Sequence, residues 1–438
     1  MNFSVNSRNN TLECLPMNAA FLFLLAMILN YIWVGFFLVA FVVAVVKLVV
    51  FQDVEIFPKL MSSTFEACKN GFTISISLTG VMALWLGIMK IGEKGGIIPI
   101  LARLVGPFFA RLFPEVPRDH PATGAIIMNF SANILGLDNA GTPLGLKAMK
   151  ELQELNPDKE TASNAMLTFL ILNSSGLTVI PLAIIADRVT LGSVNPTSIF
   201  IPTLIATFCS TMVALIYLSI KQRINLFDPV LLAYIVGLGG LVGGMIYYFA
   251  GLPQDQLQSQ STLVTSIVMI SIIIGFMLLG IKRRLPLFET FIEGAKEGFD
   301  ISVRIIPYLV AILVGIAMFR VSGALDYITG GIGWIVAQFG LDTDFVDALP
   351  VAFLKPLSGQ SSRAMMLELS RPEAFGPDSF VANLASIFRG CAETTFYMVA
   401  VYFGSIQIKK TRYAVTGGLI ADLAGIIAAI FVAYWFFH

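Results

Sequence analysis

The chain has 438 residues, of which 56% are hydrophobic and only 13% charged, with 28 basic side chains balanced by 28 acidic ones. Soluble domains carry about 25% charged residues, so a water-facing surface cannot be built here and lipid must be the solvent for most of the chain. The zero net charge excludes nucleic acid as a bulk electrostatic partner. The scattered Cys14, Cys68, Cys209 and Cys391 exclude a disulfide framework, and His120 and His438 alone offer little for a metal or for acid–base catalysis. No metal, resident cofactor or enzymatic activity is expected.

Residues 1–26 read as a polar tail and the start of a first membrane helix. The apolar stretch from Met17 to Val50 is far longer than a signal-peptide core and reads as a retained anchor. Stretches long enough to cross a bilayer, about 20 residues each, follow at 29–51, 73–90, 164–186, 199–220, 229–250, 262–281, 304–320, 380–403 and 413–436. Shorter pieces interrupted by Gly, Pro, Asn and Ser, near 97–112, 121–136, 324–339 and 347–360, predict re-entrant or broken helices, because irregular backbone is tolerated at membrane depth only under protein cover. Polar stripes over 52–72 and 286–303 predict amphipathic helices along the interface. Lys221, Arg223, Lys282, Arg283, Arg284, Lys409, Lys410 and Arg412 mark cytoplasmic loops by the positive-inside rule, and 251–261, with no basic residue, faces out.

The sequence repeats itself. Glu66–Ser75 aligns with Glu293–Ser302, Gly96 with Gly323, Lys147-Ala-Met149 with Arg363-Ala-Met365, and Thr178 with Thr395. An ordered series of this kind indicates two related halves. Loops that correspond in the two halves differ in charge, which predicts opposite orientation. The expected fold is therefore an all-α polytopic membrane protein of two inverted-topology repeats with re-entrant or broken helices. Its halves are 27–220 and 262–438, joined through 221–261.

Polar clusters fall at matching places. In the first half these are Asn129, Ser131, Asn133, Asp138, Asn139 and Lys147, then Asn173, Ser174, Ser175 and Thr178. In the second they are Lys355, Ser358, Gln360, Ser361, Ser362 and Arg363, then Arg389, Glu393, Thr394 and Thr395. Gly and Pro in or beside the first cluster of each pair allow a helix to break, leaving backbone groups to hold a solute or small cation. Arg389 and Glu393 are four apart and would share a face of a continuous helix. Each of these residues also has a structural reading, since Ser, Asn and Gly serve helix packing and Lys147 or Arg363 could cap a helix or snorkel.

The first half, from Leu29-Asn-Tyr-Ile-Trp33 through Val81–Gly87 to Met128–Leu152, resembles spore maturation protein A. The second half resembles spore maturation protein B through Glu293–Ile306, Lys355–Gly359, Gly376–Phe380, Glu393–Tyr397, Val401–Gly404 and Lys409–Arg412. The resemblance implies a fused version of two chains carrying the nucleoside-recognition or gate domain, which concentrative nucleoside carriers and ferrous-iron permeases share. It implies a multi-pass protein of the bacterial cytoplasmic membrane. Cys391 and Ala392 stand where that pattern commonly has Ser or Thr.

Together these features lead to a secondary transporter of a small polar solute bound between the halves, with a proton or sodium as coupling ion. Arg363 and Lys147 would hold anionic or carbonyl groups of the solute, and Glu393 would take a proton or pair with a cation. The alternative is a non-transporting scaffold for envelope or cell-wall machinery. The lipid bilayer, the solute and, in a homo-oligomer, further copies of the chain are the expected partners.

Overall fold

The computed structural model describes residues 17–438 except 118, 135–137, 177–180 and 392; side chains are described at these positions apart from 17–30, 138–140, 254, 255 and 258. The described residues are helical almost throughout. In the first half run α1 (Met17–Val50), α2 (Ile56–Gly95), α3 (Ile97–Leu112), α4 (Pro121–Ile134), α5 (Asp138–Leu155), α6 (Asn164–Ser174), α7 (Leu182–Thr190) and α8 (Phe200–Gln222). After α9 (Pro229–Ala250) come α10 (Gln254–Lys282), α11 (Leu287–Arg304), α12 (Ile306–Val321), α13 (Ala324–Gln338), a 3-10 turn (Asp344–Ala348), α14 (Leu349–Leu354), α15 (Gly359–Leu369), α16 (Phe380–Gly390), α17 (Thr395–Ser405) and α18 (Ala414–Phe437). Seven segments among the described residues are long and apolar enough to cross a membrane.

The two expected spans missing from those seven are 164–186 and 380–403, and both are broken. The first is interrupted between α6 and α7, the second between α16 and α17. Conversely, the stripe at 52–72 is not a separate interfacial helix. It belongs to the 40-residue α2, about 60 Å long at 1.5 Å per residue. One of its polar side chains, Glu66, stays exposed while pairing with Arg371.

Residues aligned between the halves share local structure. Gly96 (φ 90°) turns α2 into α3, and Gly323 (φ 85°) turns α12 into α13, a left-handed conformation that glycine adopts without strain. Ser75 donates to the Gly71 carbonyl at 2.8 Å, and Ser302 donates to the Gly298 carbonyl at 2.9 Å. Ser163 and Ser379 cap α6 and α16, each accepting from the third helical amide.

Counterparts pack on one another. α2 lies antiparallel along α11 and α12: a Cβ on Gly298 would meet the Ala83 nitrogen at 2.8 Å, and one on Gly71 would meet Val310. Small residues let these backbones touch without hydrophobic help from water. α8 lies antiparallel to α18, where Ser210 donates to the Ala421 carbonyl at 2.8 Å and Tyr217 stacks edge-on against Tyr413.

Candidate functional site: a crossing of helix breaks

The broken spans run antiparallel. The segment before α6 meets the loop after α17, where the Ala162 amide donates to Lys410 at 3.0 Å. At the other end, Arg188 and the Val194 amide reach Asp378 just before α16, at 3.1 and 2.8 Å. Their breaks therefore cross near the middle of the two spans. Gly176 (φ 69°) and Pro181 interrupt the first span. Gly390 marks the second, where a side chain would run into Thr203 and Ile184 at 2.6 and 2.9 Å.

Each break frees backbone groups that a continuous helix would pair. The Glu393 amide donates across the crossing to the Ser174 carbonyl at 3.0 Å, and the Phe396 amide donates to the Pro356 carbonyl at 3.0 Å. The second bond brings in a third break, between α14 and α15, where Ser358 caps α15. Lys355 Nζ lies 3.8 Å from Glu393 Oε2. Thr395 Oγ1 donates to Asp422 Oδ2 at 2.7 Å. Glycines of α18 permit this approach: a Cβ on Gly425 would meet the Cys391 carbonyl oxygen at 2.8 Å, and one on Gly418 would meet Thr395 at 2.5 Å.

The first half lines the crossing with amides. Asn133 donates to the Asn173 side-chain oxygen at 2.6 Å, Asn173 to the Phe169 carbonyl at 2.7 Å, and Asn129 to the Gly141 carbonyl at 2.7 Å. Ser174 Oγ is buried with no hydrogen-bond partner among the described residues. Such a seam can donate to and accept from a polar solute, while the second half brings Lys355, Glu393, Asp422 and, at the end of α16, Arg389.

Other expected site residues are placed differently. Arg363 does not face the crossing as an unpaired cation: its Nε bonds both carboxylate oxygens of Asp187, at 2.9 and 3.1 Å. Lys147, its aligned counterpart, is exposed. Arg389 and Glu393 are separated by the break, so they do not share a helix face. Ser131 bonds the Ile127 carbonyl, Ser175 bonds Leu172 and Thr211, Ser362 bonds Val351, and Ser361 bonds Ser358. Gln360 is exposed, and Thr394 is buried with its Oγ1 3.0 Å from where a Cβ on Gly359 would stand. Thr178 and the side chains of Asp138 and Asn139 lie outside the described residues.

The sequence reading missed Asp187 and Asp422. A lone carboxylate in the apolar stretch 413–436 was the available signal for Asp422. Among the described residues two groups could hold a metal by proximity, His120 with Glu151 and Glu154, and Asp342 with Asp344 and His438; neither includes a residue of the crossing. A cavity of about 290 Å³ opens beside Arg320, Asp326, Asp347 and Glu373, away from the breaks.

The model of the Gate family, described as nucleoside recognition, matches residues 75–188, which include the first break and Asp187. The chain is 42% identical over 187 residues to spore maturation protein A of Bacillus subtilis (strain 168), covering 43% of this chain and 92% of that protein. It is 43% identical over 168 residues to spore maturation protein B of the same organism, covering 38% of this chain and 92% of that protein. No solved structure matches. Matched over nearly the full length of both relatives, one in each half, the chain belongs to the spore maturation protein A and B family and joins both kinds in one polypeptide.

Proposed function

We propose that the chain is a secondary transporter of the bacterial cytoplasmic membrane, moving a small polar solute between two halves of inverted topology. The single observation carrying this reading is the Glu393 amide donating to the Ser174 carbonyl. Two broken spans, one from each half, are held together there by a bond that either half can release. Antiparallel packing of counterpart helices supports the inversion, and broken helices at the interface of inverted repeats are a recurrent transporter plan. The Asn129–Asn133–Asn173 seam and the pair Lys355–Glu393 would contact the solute. The description of the Gate family makes nucleosides the first class to try, before amino acids, dipeptides and divalent metals.

The test uses purified chain in proteoliposomes, with solute panels driven by pH or sodium gradients. A cysteine pair, Ser174→Cys with Glu393→Cys, is placed in a background whose native cysteines are replaced. Uptake that stops on oxidation and returns with reductant supports gating at the crossing. Uptake that continues with the disulfide formed removes the crossing from the mechanism. No uptake of any class under either gradient, with the protein folded, turns the reading to a membrane scaffold for envelope machinery.

A further inference from the structure

Asp422, which is 2% exposed, is the one charged side chain among the 24 residues of α18. One of its oxygens, Oδ2, accepts from Thr395 at 2.7 Å. The other, Oδ1, has no hydrogen-bond partner among the described residues, and neither has Ser174 Oγ on the facing end of α6. A buried carboxylate held by one neutral donor is costly as an anion, and a proton on the free oxygen removes that cost and supplies a donor.

The neighbours leave little else to balance the charge. α8 presents Ser210 and Thr211, whose hydroxyls reach the Ala421 carbonyl and Ser175. α6 presents Ser174 and Ser175. The break after α16 presents Cys391, whose thiol faces the Phe388 carbonyl. Between Asp255 and Lys282, α10 has no titratable side chain. The charged groups acting on Asp422 are Lys355 and Glu393, and Lys355 stands 3.8 Å from Glu393. Arg389 stands in the last turn of α16 beside the same break, and it is the burial of Asp422 and its Oδ1, without a hydrogen-bond partner among the described residues, that favour a proton there. Glu393 is 41% exposed at its side chain and has the lysine beside it, so the buried Asp422 is the better holder. A sodium ion would need several more oxygens at this point and would sit near an ammonium.

We propose that Asp422 is the proton-binding residue of the crossing, protonated while the two breaks are bonded and releasing its proton as they part. Its use in coupling rests on the transport reading, but its protonation does not.

The test needs no solute. The full chain in phosphatidylcholine vesicles is treated with dicyclohexylcarbodiimide, a membrane-permeant reagent for protonated carboxyls, across a pH series, and adducts are mapped by peptide mass spectrometry. The expected result is an adduct on Asp422 that declines as pH rises, is lost in Asp422→Asn and persists in Glu393→Gln. The unmodified chain gives the map even if a variant folds poorly. Infrared difference spectra between two pH values supply a second readout independent of reagent access, with a protonated-carboxyl band that disappears in Asp422→Asn. An adduct confined to Glu393 overturns the proposal, as does a band responding to sodium at fixed pH, or absence of both signals. A titrating Asp422 in a chain that takes up nothing sinks the transport reading alone. Proton-driven uptake that survives Asp422→Asn overturns the coupling role of Asp422 and leaves the transport reading standing.

Discussion

Arg363 on α15 holds Asp187 on α7 through its Nε at 2.9 and 3.1 Å to the two carboxylate oxygens, tying the halves together across 176 residues of chain. Asp187 is 0% exposed and Arg363 6%. The next residue, Arg188, points to Asp378 instead, at 3.1 Å. α7 is thus clamped to both flanks of the second half by consecutive side chains of opposite charge. Removing one member of a buried pair leaves the other uncompensated, at a cost of about 3–5 kcal/mol. Asp187→Leu and Arg363→Met should each lower the melting point sharply, whereas the double variant Asp187→Leu/Arg363→Met should recover most of the loss. A thermal-melt double-mutant cycle checks this, and additive losses would mean the pair is not coupled.

Gly425 sits where α18 passes beneath the second break. A Cβ there would meet the Cys391 carbonyl oxygen at 2.8 Å, and backbone cannot swing aside as a side-chain tip can. Gly425→Ala should therefore cost about 1–3 kcal/mol by overpacking. Gly240→Ala on α9 is the control, since nothing lies within 4 Å of its added methyl. It should stabilise by about 0.4–1 kcal/mol through the unfolded chain. Equal effects at the two positions would contradict the tight approach of the break to α18.

Asp347, in the 3-10 turn outside the membrane spans, has its carboxyl pushed up from the usual range by burial first, then by the charges of Asp326 and Asp344. A carboxyl whose pKa is higher folded than unfolded favours folding while protonated. That contribution is lost as pH rises through the folded value. Asp347→Asn should accordingly raise the melting point at neutral pH and have little effect below the ordinary aspartate range. A melt series against pH reads the difference between the curves. A variant equally shifted at both ends would place the effect in packing rather than charge.

How far the sequence carried is clearest at the two broken spans. Apolar length located the seven continuous spans, because lipid imposes that length regardless of packing. The same criterion read 164–186 and 380–403 as unbroken, since Asn173, Ser174 and Cys391 are ordinary packing residues in membrane helices. What makes them breaks is tertiary: Gly390 pressed against Thr203 and Ile184, and an amide that finds its acceptor on the other half. Gly96 and Gly323 were legible as equivalent because a left-handed turn needs glycine in both halves. Arg363 was legible as important but not as paired, because its partner Asp187 is distant in sequence. The 52–72 stripe was legible as amphipathic helix but not as the first part of the 40-residue α2, because a polar stripe does not show where a helix ends.

Lys147 and Lys355 separate a sequence equivalence from a structural role. Lys147 aligns with Arg363 in sequence, yet it is exposed on α5, while Lys355 is buried beside the second break. Lys147→Ala should change stability by no more than about 0.5 kcal/mol, as surface substitutions do. Lys355→Ala removes the ammonium 3.8 Å from Glu393. The full buried-pair figure does not apply, because the Glu393 side chain is 41% exposed and water screens part of its charge. A loss on the order of 1 kcal/mol is expected. If charge balance is the cause, Glu393→Gln introduced into Lys355→Ala should restore part of that loss by removing the carboxylate left without its partner. The same Glu393→Gln in the native background should destabilise slightly, because it strips Lys355 of its partner. A sign reversal of Glu393→Gln between the two backgrounds, read in thermal melts, would assign Lys355 to the charge balance of the crossing. The same sign in both would make it a packing residue.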